Sequence, residues 1–119
     1  MLLIQGPLAL NWADRKFGLI PRIESSEISA DAPPSETRVD IWENCAVSVI
    51  GAEDHIFIKV HTHGAEDRTS EMLFSEGFDR LWTTLEARFR DRPGYALHYL
   101  TAWEMYEKVK SLCSSERAA

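Results

Sequence analysis

The sequence predicts an α/β fold in which parallel strands are covered by helices, and three observations lead to this prediction. An apolar, β-branched run occupies residues 54–64, an amphipathic helical pattern follows at 76–91, and a second short apolar run lies at 95–100. A strand that is buried on both faces has such a continuous apolar run. Because two strands joined by a helix pair in parallel through a right-handed crossover, these segments predict one βαβ unit.

Composition and charge describe a globular chain of one domain, residues 1–119. It contains 45% hydrophobic and 27% charged residues, and its net charge is −6. A chain of this size buries about two-thirds of its unfolded surface. Because no cluster of Lys and Arg supplies the basic face that phosphate binding needs, nucleic acid is not an expected partner.

The cysteines and the apolar runs indicate the cellular compartment of the protein. Cys45 and Cys113 are far apart and match no metal-finger spacing, which is typical of free thiols in a reducing compartment. The apolar opening at 1–4 is too short for a secretion signal, and no run approaches the length of a membrane span. The sequence therefore predicts a cytoplasmic protein without a membrane partner.

The first half of the chain gives weak signals. Residues 8–23 show no clean helical or alternating period, and a short strand is predicted near 17–20. Residues 24–36 are rich in Ser, Asp, Ala and Pro, which predicts a loop. Ser35 is the predicted N-cap of a helix over 35–46, because apolar residues follow it at helical spacing.

The second half gives clearer signals. A polar segment at 65–70 is predicted to be a loop, and loops often carry function. The helix over 76–91 has apolar side chains at helical spacing. Thr101 and Glu104 match a capping box at the start of a last helix that ends at about residue 113. The tail at 114–119 is predicted to fray.

Two histidines end the first predicted strand. Side chains alternate along a strand, so Lys59, His61 and His63 share one face, with successive members about 6.5–7 Å apart. Ligands bind at the carboxyl ends of strands in parallel sheets and barrels, which is where both histidines lie. One small polar ligand could contact all three side chains. The alternative is that the histidines are structural residues at a solvated strand edge.

Two kinds of chemistry fit the histidine pair. A His-x-His pair on a strand is a familiar half of a zinc site, and Glu66, Asp67 and His98 are the candidates for a third ligand. Alternatively, a histidine donates a proton to a leaving group at neutral pH. The sequence contains no Gly-rich phosphate loop, HExxH motif or nucleophile elbow, which removes several other classes of enzyme.

Three segments together resemble the C-terminal end of the polysaccharide deacetylase-like proteins: residues 56–64 (IFIKVHTHG), the strand ending at 97–101 and the helix start at 102–105. The resemblance implies a partial (β/α) barrel-like arrangement with parallel strands and covering helices. Active members remove acyl groups from amino sugars with a divalent metal, and a late-strand histidine acts as general acid. His61 matches that position, and His63 is the second catalytic candidate.

The resemblance also implies what the chain contributes and what it lacks. The implied substrate is a carbohydrate, with Lys59, Glu66, Trp12 and Arg22 as the expected substrate-binding residues. The aspartate pair and the His-x-x-x-His motif that supply the family's base and metal ligands are absent from the sequence. We therefore expect the C-terminal part of a larger barrel, a hydrolase segment for the C–N bonds of acylated sugars. Alone it would be inactive and hold no metal or other cofactor, whereas a complete enzyme would use zinc.

Two other functions fit the same residues. The chain is a non-catalytic binding or assembly module with structural histidines, or it is a small metallohydrolase that uses His61 and His63 as metal ligands. The fragment hypothesis adds a prediction about shape. An incomplete barrel has open sheet edges and an uncovered apolar face, which favour a homo-oligomer.

Overall fold

The structure is a computed structural model, and it describes residues 2–63 and 66–116. The described residues form a two-stranded antiparallel sheet followed by helices. In chain order the elements are β1 (Ala9–Lys16), β2 (Ile20–Glu24), α1 (Glu36–Cys45), α2 (Asp67–Leu73), α3 (Glu76–Leu85) with a π-helical turn at Glu86–Arg90, and α4 (Ala102–Glu116). Part of the predicted loop, at 64–65, and the end of the predicted tail, at 117–119, lie outside the described residues.

The predicted α/β fold with parallel strands in a barrel-like arrangement is wrong. Within the described residues the sheet is antiparallel, no barrel forms, and parallel pairing is limited to an isolated bridge between Glu27 and His61. Residues 55–60 and 95–100 are not assigned to strands. A β-branched, apolar run fits a half-buried pleated surface, but it does not supply the neighbouring strand that a ladder requires. Phe57 instead donates its backbone N–H to a loop carbonyl at 2.7 Å.

The first two strands form a hairpin in the part of the chain that shows no clean period. Large apolar residues alternate at the start of β1, but a bulge between Asn11 and Arg15 then shifts the register and hides the alternation. The Asn11 side chain stabilises this bulge, since its oxygen accepts the N–H groups of Ala13 and Asp14 at 3.1 and 3.2 Å. The strand predicted near 17–20 is instead the hairpin turn and the first residue of β2.

The hairpin turn is strained at one residue. Its central residues, Phe17 and Gly18, have φ of 55° and 72°, and the Leu19 N–H donates to the Lys16 carbonyl at 3.2 Å. A type I′ turn requires positive φ at both central positions, and Asn-Gly is among its preferred sequences. Gly18 adopts this conformation freely, whereas the Cβ of Phe17 makes it costly. Phe17 is also 93% exposed, so packing does not offset this cost.

The helix predicted from 35 and the helix predicted over 76–91 are both present. α1 follows Ser35, whose hydroxyl oxygen accepts the Arg38 N–H at 3.3 Å. The second helix is α3 together with its π-helical turn. Their apolar faces and one loop residue form the buried core: Ile28, Val39, Trp42, Leu81, Leu85 and Phe89.

The predicted capping box begins α4. Glu104 accepts hydrogen bonds from both the N–H and the hydroxyl of Thr101 at 2.7 Å. The loop predicted at 65–70 is wrong from Asp67 onward, where α2 begins. An acidic residue in the first turn favours a helix start, because it complements the helix dipole. None of the helices in the described part of the chain has the length and apolar composition needed to cross a membrane.

A buried ion pair connects β2, the loop after it and α1. Arg38 donates from Nε and Nη2 to the two carboxylate oxygens of Glu24 at 2.7 and 2.8 Å, and both residues are buried. The Trp42 indole and the Ser26 backbone N–H also donate to this carboxylate, each at 2.9 Å. The guanidinium further donates to the backbone carbonyls of Glu27, Ala32 and Pro33.

These contacts set the protonation of Glu24. Burial by itself raises the pKa of the carboxyl, but hydrogen bonds from Arg38, Trp42 and Ser26 outweigh burial and hold the pKa below its ordinary value of 4.5. Glu24 is therefore ionised at neutral pH, with its charge balanced by the buried guanidinium.

The hairpin exposes an apolar face. Leu10 of β1 lies opposite Ile23 of β2 in the register, and both side chains are exposed, as are the neighbouring Leu8 and Trp12. A two-stranded sheet is marginally stable by itself, and exposed apolar patches favour association. Formation of a homo-oligomer stays a prediction.

Replacing Phe17 with Asn is expected to increase the free energy of unfolding by about 1 kcal/mol, because Asn tolerates positive φ and forms the preferred Asn-Gly pair. Chemical denaturation measures this change. Phe74→Asn is the matched control, since Phe74 is equally exposed but has φ of −96°. An equal increase in the free energy of unfolding of both variants would mean that the effect comes from the removal of exposed apolar surface and not from relief of turn strain.

Acid is expected to destabilise the chain partly through Glu24. Its folded-state pKa lies below the value in the unfolded chain, so the unfolded chain takes up this proton first as the pH falls. The stabilisation is present above about pH 4.5 and is lost as the pH falls through the folded-state pKa. Glu24→Gln should lower the free energy of unfolding at neutral pH, and this free energy should then fall less as the pH is lowered.

Denaturation midpoints of the wild type and the variant across this pH range test the prediction. Arg38→Met provides a comparison, since it leaves the Glu24 carboxylate buried without its cation and should cost about 3–5 kcal/mol. If Glu24→Gln retains the full acid sensitivity of the wild type, other carboxylates are responsible.

Candidate metal centre

The loop after β2 lies beside residues Lys59 and His61. The Ser26 carbonyl accepts the His61 N–H at 3.3 Å, and the His61 carbonyl accepts the Ile28 N–H at 2.8 Å. These hydrogen bonds form the isolated parallel bridge between Glu27 and His61. Since paired backbones lie about 4.8 Å apart, the bridge brings a carboxylate side chain next to an imidazole.

Ser26 fixes the position of this loop. Its φ is 58°, in the left-handed region that non-glycine residues rarely adopt. Its N–H donates to the Glu24 carboxylate at 2.9 Å, and its hydroxyl donates to the Lys59 carbonyl. Gly6 lies against both groups, because a Cβ there would be 2.8 Å from the Ser26 hydroxyl and 3.1 Å from the Lys59 carbonyl. Ser26 therefore connects the bridge to the buried ion pair through its N–H, and Gly6 of the N-terminal segment packs against its hydroxyl.

Three side chains with metal-ligating atoms converge at the bridge. One ligand atom each from Glu27, His61 and His63 lies within 4.8 Å of those of the other two. His63 lies two positions after His61, and its ring approaches both the His61 ring and the Glu27 carboxylate. The two rings are nearly perpendicular, at 87°, with centroids 5.8 Å apart.

The surroundings of the cluster are asymmetric. Glu27 and His61 are half-buried, whereas His63 is exposed. Nδ1 of His61 is shielded from solvent and has no hydrogen-bond partner among the described residues. An unpaired buried polar atom costs about 1–3 kcal/mol. A metal ion coordinated by Nδ1 would relieve this cost by accepting the lone pair of that nitrogen.

The donor set fits a divalent metal of the zinc type. Two imidazoles and one carboxylate, with a fourth position for water, form one of the donor sets of catalytic zinc sites. Donors bound at about 2.0–2.1 Å in a tetrahedron are about 3.3 Å apart, so the three atoms must approach one another by up to about 1.5 Å. The exposed His63 side chain can make much of this movement by rotation about its own bonds.

The structure brings together the two predicted catalytic residues, His61 and His63, but none of the predicted third ligands joins them. Glu66 precedes α2, where its carboxylate accepts a hydrogen bond from the Thr69 hydroxyl at 3.2 Å. Asp67 is in the first turn of that helix, and His98 is exposed in the segment before α4.

The predicted substrate-binding residues have separate surroundings. Lys59 is exposed and contacts Ser26 through its backbone carbonyl. Trp12 and Arg22 belong to the hairpin. The Arg15 guanidinium lies 5.6 Å from the centroid of the Trp12 ring, and Arg22 forms an exposed ion pair at 3.0 Å with a carboxylate of β1.

Glu27 is the cluster residue that the sequence analysis missed. It lies in the loop predicted at 24–36, far in sequence from His61, and no spacing rule connects the two residues. Their contact depends on backbone pairing between distant segments. The sequence offered one weaker indication of Glu27, which is an acidic side chain in a loop that precedes a well-capped helix.

Comparison of the chain with protein-family models, with curated proteins and with solved structures found no match.

Proposed function

We propose that the chain binds zinc or a similar divalent metal through Glu27, His61 and His63 and that it supports metal-dependent hydrolysis. The observation that carries this proposal is the convergence of three ligand atoms within 4.8 Å. The exposed side of the cluster, at His63, gives water and substrate access to the fourth coordination position. A bound metal of this type lowers the pKa of water and polarises a carbonyl group.

The substrate class rests on the sequence resemblance. Deacetylation of an amino sugar is hydrolysis of an amide bond with a divalent metal, which agrees with the donor set of the cluster. N-acylated sugars are therefore the proposed substrates, with residues 56–64 as the supporting motif. The barrel that the resemblance also implies is not part of this proposal.

The proposal changes the expected role of the histidines. An imidazole binds a metal only when it is neutral, whereas a general acid must carry the proton that it donates. His61 and His63 therefore act as metal ligands in this proposal and not as acids. Glu27 supplies the carboxylate ligand that the sequence analysis sought in Glu66 and Asp67.

A second candidate function is a non-catalytic binding module, and the exposed face of the hairpin favours it. In that case replacement of both histidines leaves partner binding intact. Localisation in the cytoplasm is likewise a proposal, supported by Cys45 and Cys113, which are both free thiols.

Elemental analysis of zinc-loaded, dialysed protein tests the metal site. About one zinc ion per chain is expected in the wild type, with loss of most of it in Glu27→Gln, His61→Ala and His63→Ala. His98→Ala and Glu66→Gln are matched controls that remove the same donor types outside the cluster, and both should retain the metal. Equal loss in controls and cluster variants, or no stoichiometric metal in the wild type, contradicts the site.

Acetate release from an oligosaccharide of N-acetylglucosamine tests the reaction. We expect activity in the zinc-loaded wild type, loss of activity after chelation, and recovery when zinc is added back. His63→Ala should be inactive, and His98→Ala should keep wild-type activity. Stoichiometric zinc without acetate release would leave the metal site in place and refute this substrate class.

A further inference from the structure

A second site lies at the C-terminal end of α3, where aromatic side chains from two segments meet. Trp82 is on α3, Glu86 begins the π-helical turn, and Tyr99 is on the segment before α4. Together they line an open cleft of about 300 Å³. This volume is at the lower end of the range for small-molecule sites. None of these three residues belongs to the Glu27–His61–His63 cluster.

The two aromatic rings form a corner. Their centroids are 5.4 Å apart and their planes meet at 80°. Phe78 also contacts Trp82, with the same centroid distance and interplanar angle of 5.4 Å and 80°, and so supports the indole ring. Trp82 remains 38% exposed and Tyr99 49% exposed. Two fixed apolar surfaces are therefore available to a ligand at little cost in side-chain entropy.

Polar groups lie at the rim of the corner. The Glu86 carboxylate pairs with the Arg90 guanidinium at 2.9 Å, one helical turn further along. The Tyr99 phenol is protonated at neutral pH and is a hydrogen-bond donor, and burial and the nearby Glu86 charge raise its pKa further. The rim thus offers a carboxylate acceptor, a guanidinium donor and a hydroxyl group.

The chemistry of the lining selects among ligand classes. Aromatic corners bind alkylated ammonium groups through the ring faces, but the Arg90 guanidinium neutralises the carboxylate and repels a second cation. Glu86 in turn disfavours an anion. A neutral ligand with an apolar face and a border of hydroxyl groups satisfies both the rings and the rim. A pyranose ring has this form, since its axial C–H groups make an apolar face and its equatorial hydroxyls point outward.

We propose that the Trp82–Glu86–Tyr99 cleft binds a neutral pyranose ring of a carbohydrate. The ring packs on the indole and phenol faces, and its hydroxyl groups hydrogen-bond with the carboxylate and guanidinium at the rim. This proposal does not depend on metal binding or hydrolysis, because it uses a separate set of residues.

Isothermal titration calorimetry with two neutral trisaccharides, maltotriose and the trimer of N-acetylglucosamine, tests the site. At least one should bind saturably to the full chain, with a tenfold or greater loss of affinity in Trp82→Ala and Tyr99→Ala. Glu86→Gln keeps the size and shape of the side chain, and it should weaken binding severalfold because it removes the charged acceptor. Thermal unfolding of each variant checks that the fold is retained.

Two further variants make the result specific. Trp103→Ala is the matched control, because Trp103 is 68% exposed and contacts Tyr106 at a centroid distance of 5.1 Å, but does not line the cleft. His61→Ala tests independence from the metal cluster. Both should bind the trisaccharide as the wild type does, even if the wild type holds no zinc.

Several outcomes would overturn the proposal. These are absence of saturable binding to either trisaccharide, equal affinity in the wild type and in folded Glu86→Gln and Tyr99→Ala variants, or loss of binding in His61→Ala. Preferential binding of tetramethylammonium chloride, used as a competing probe, would assign the corner to alkylated cations instead.

Discussion

The buried ion pair between Glu24 and Arg38 is the interaction on which the other contacts depend. It joins the end of the hairpin to α1, and the remaining guanidinium hydrogen bonds hold the carbonyls of the loop between them. Breaking the pair would leave an uncompensated buried charge and remove the donor that these loop carbonyls share. The Glu27 carbonyl is one of these acceptors, so the candidate metal centre is connected directly to the core ion pair.

The local features of the fold were predictable from the sequence, whereas the pairing of distant segments was not. Ser35 as a cap and the Thr101–Glu104 capping box depend on residues three positions apart, and both are present. The apolar run at 54–64 predicted a buried strand, but residues 55–60 are not assigned to one. Its neighbour could not be read from hydrophobicity, because the backbone partners of Phe57 and His61 lie in loops without a periodic pattern.

The residues of the candidate site also divide into those that local sequence predicts and those that distant contacts bring in. His61 and His63 were found because two imidazoles two positions apart share a face of an extended segment, which is a local property. Glu27 was missed because it approaches them through a single backbone bridge. Trp12 and Arg22 were expected substrate-binding residues under the family resemblance, and the structure places them on a hairpin whose register is altered by the Asn11 bulge.

The bridge between residues 27 and 61 also has a consequence for the unfolded chain. The unfolded chain lacks this bridge and the loop of about 34 residues that it closes, so a metal ion bound by Glu27 and His61 would stabilise the folded state by an amount that rises with the free metal concentration. The closed loop contains all of α1, including Arg38. Metal supply would then regulate how much of the chain is folded, and degradation of the metal-free form would couple the abundance of the protein to the concentration of free metal.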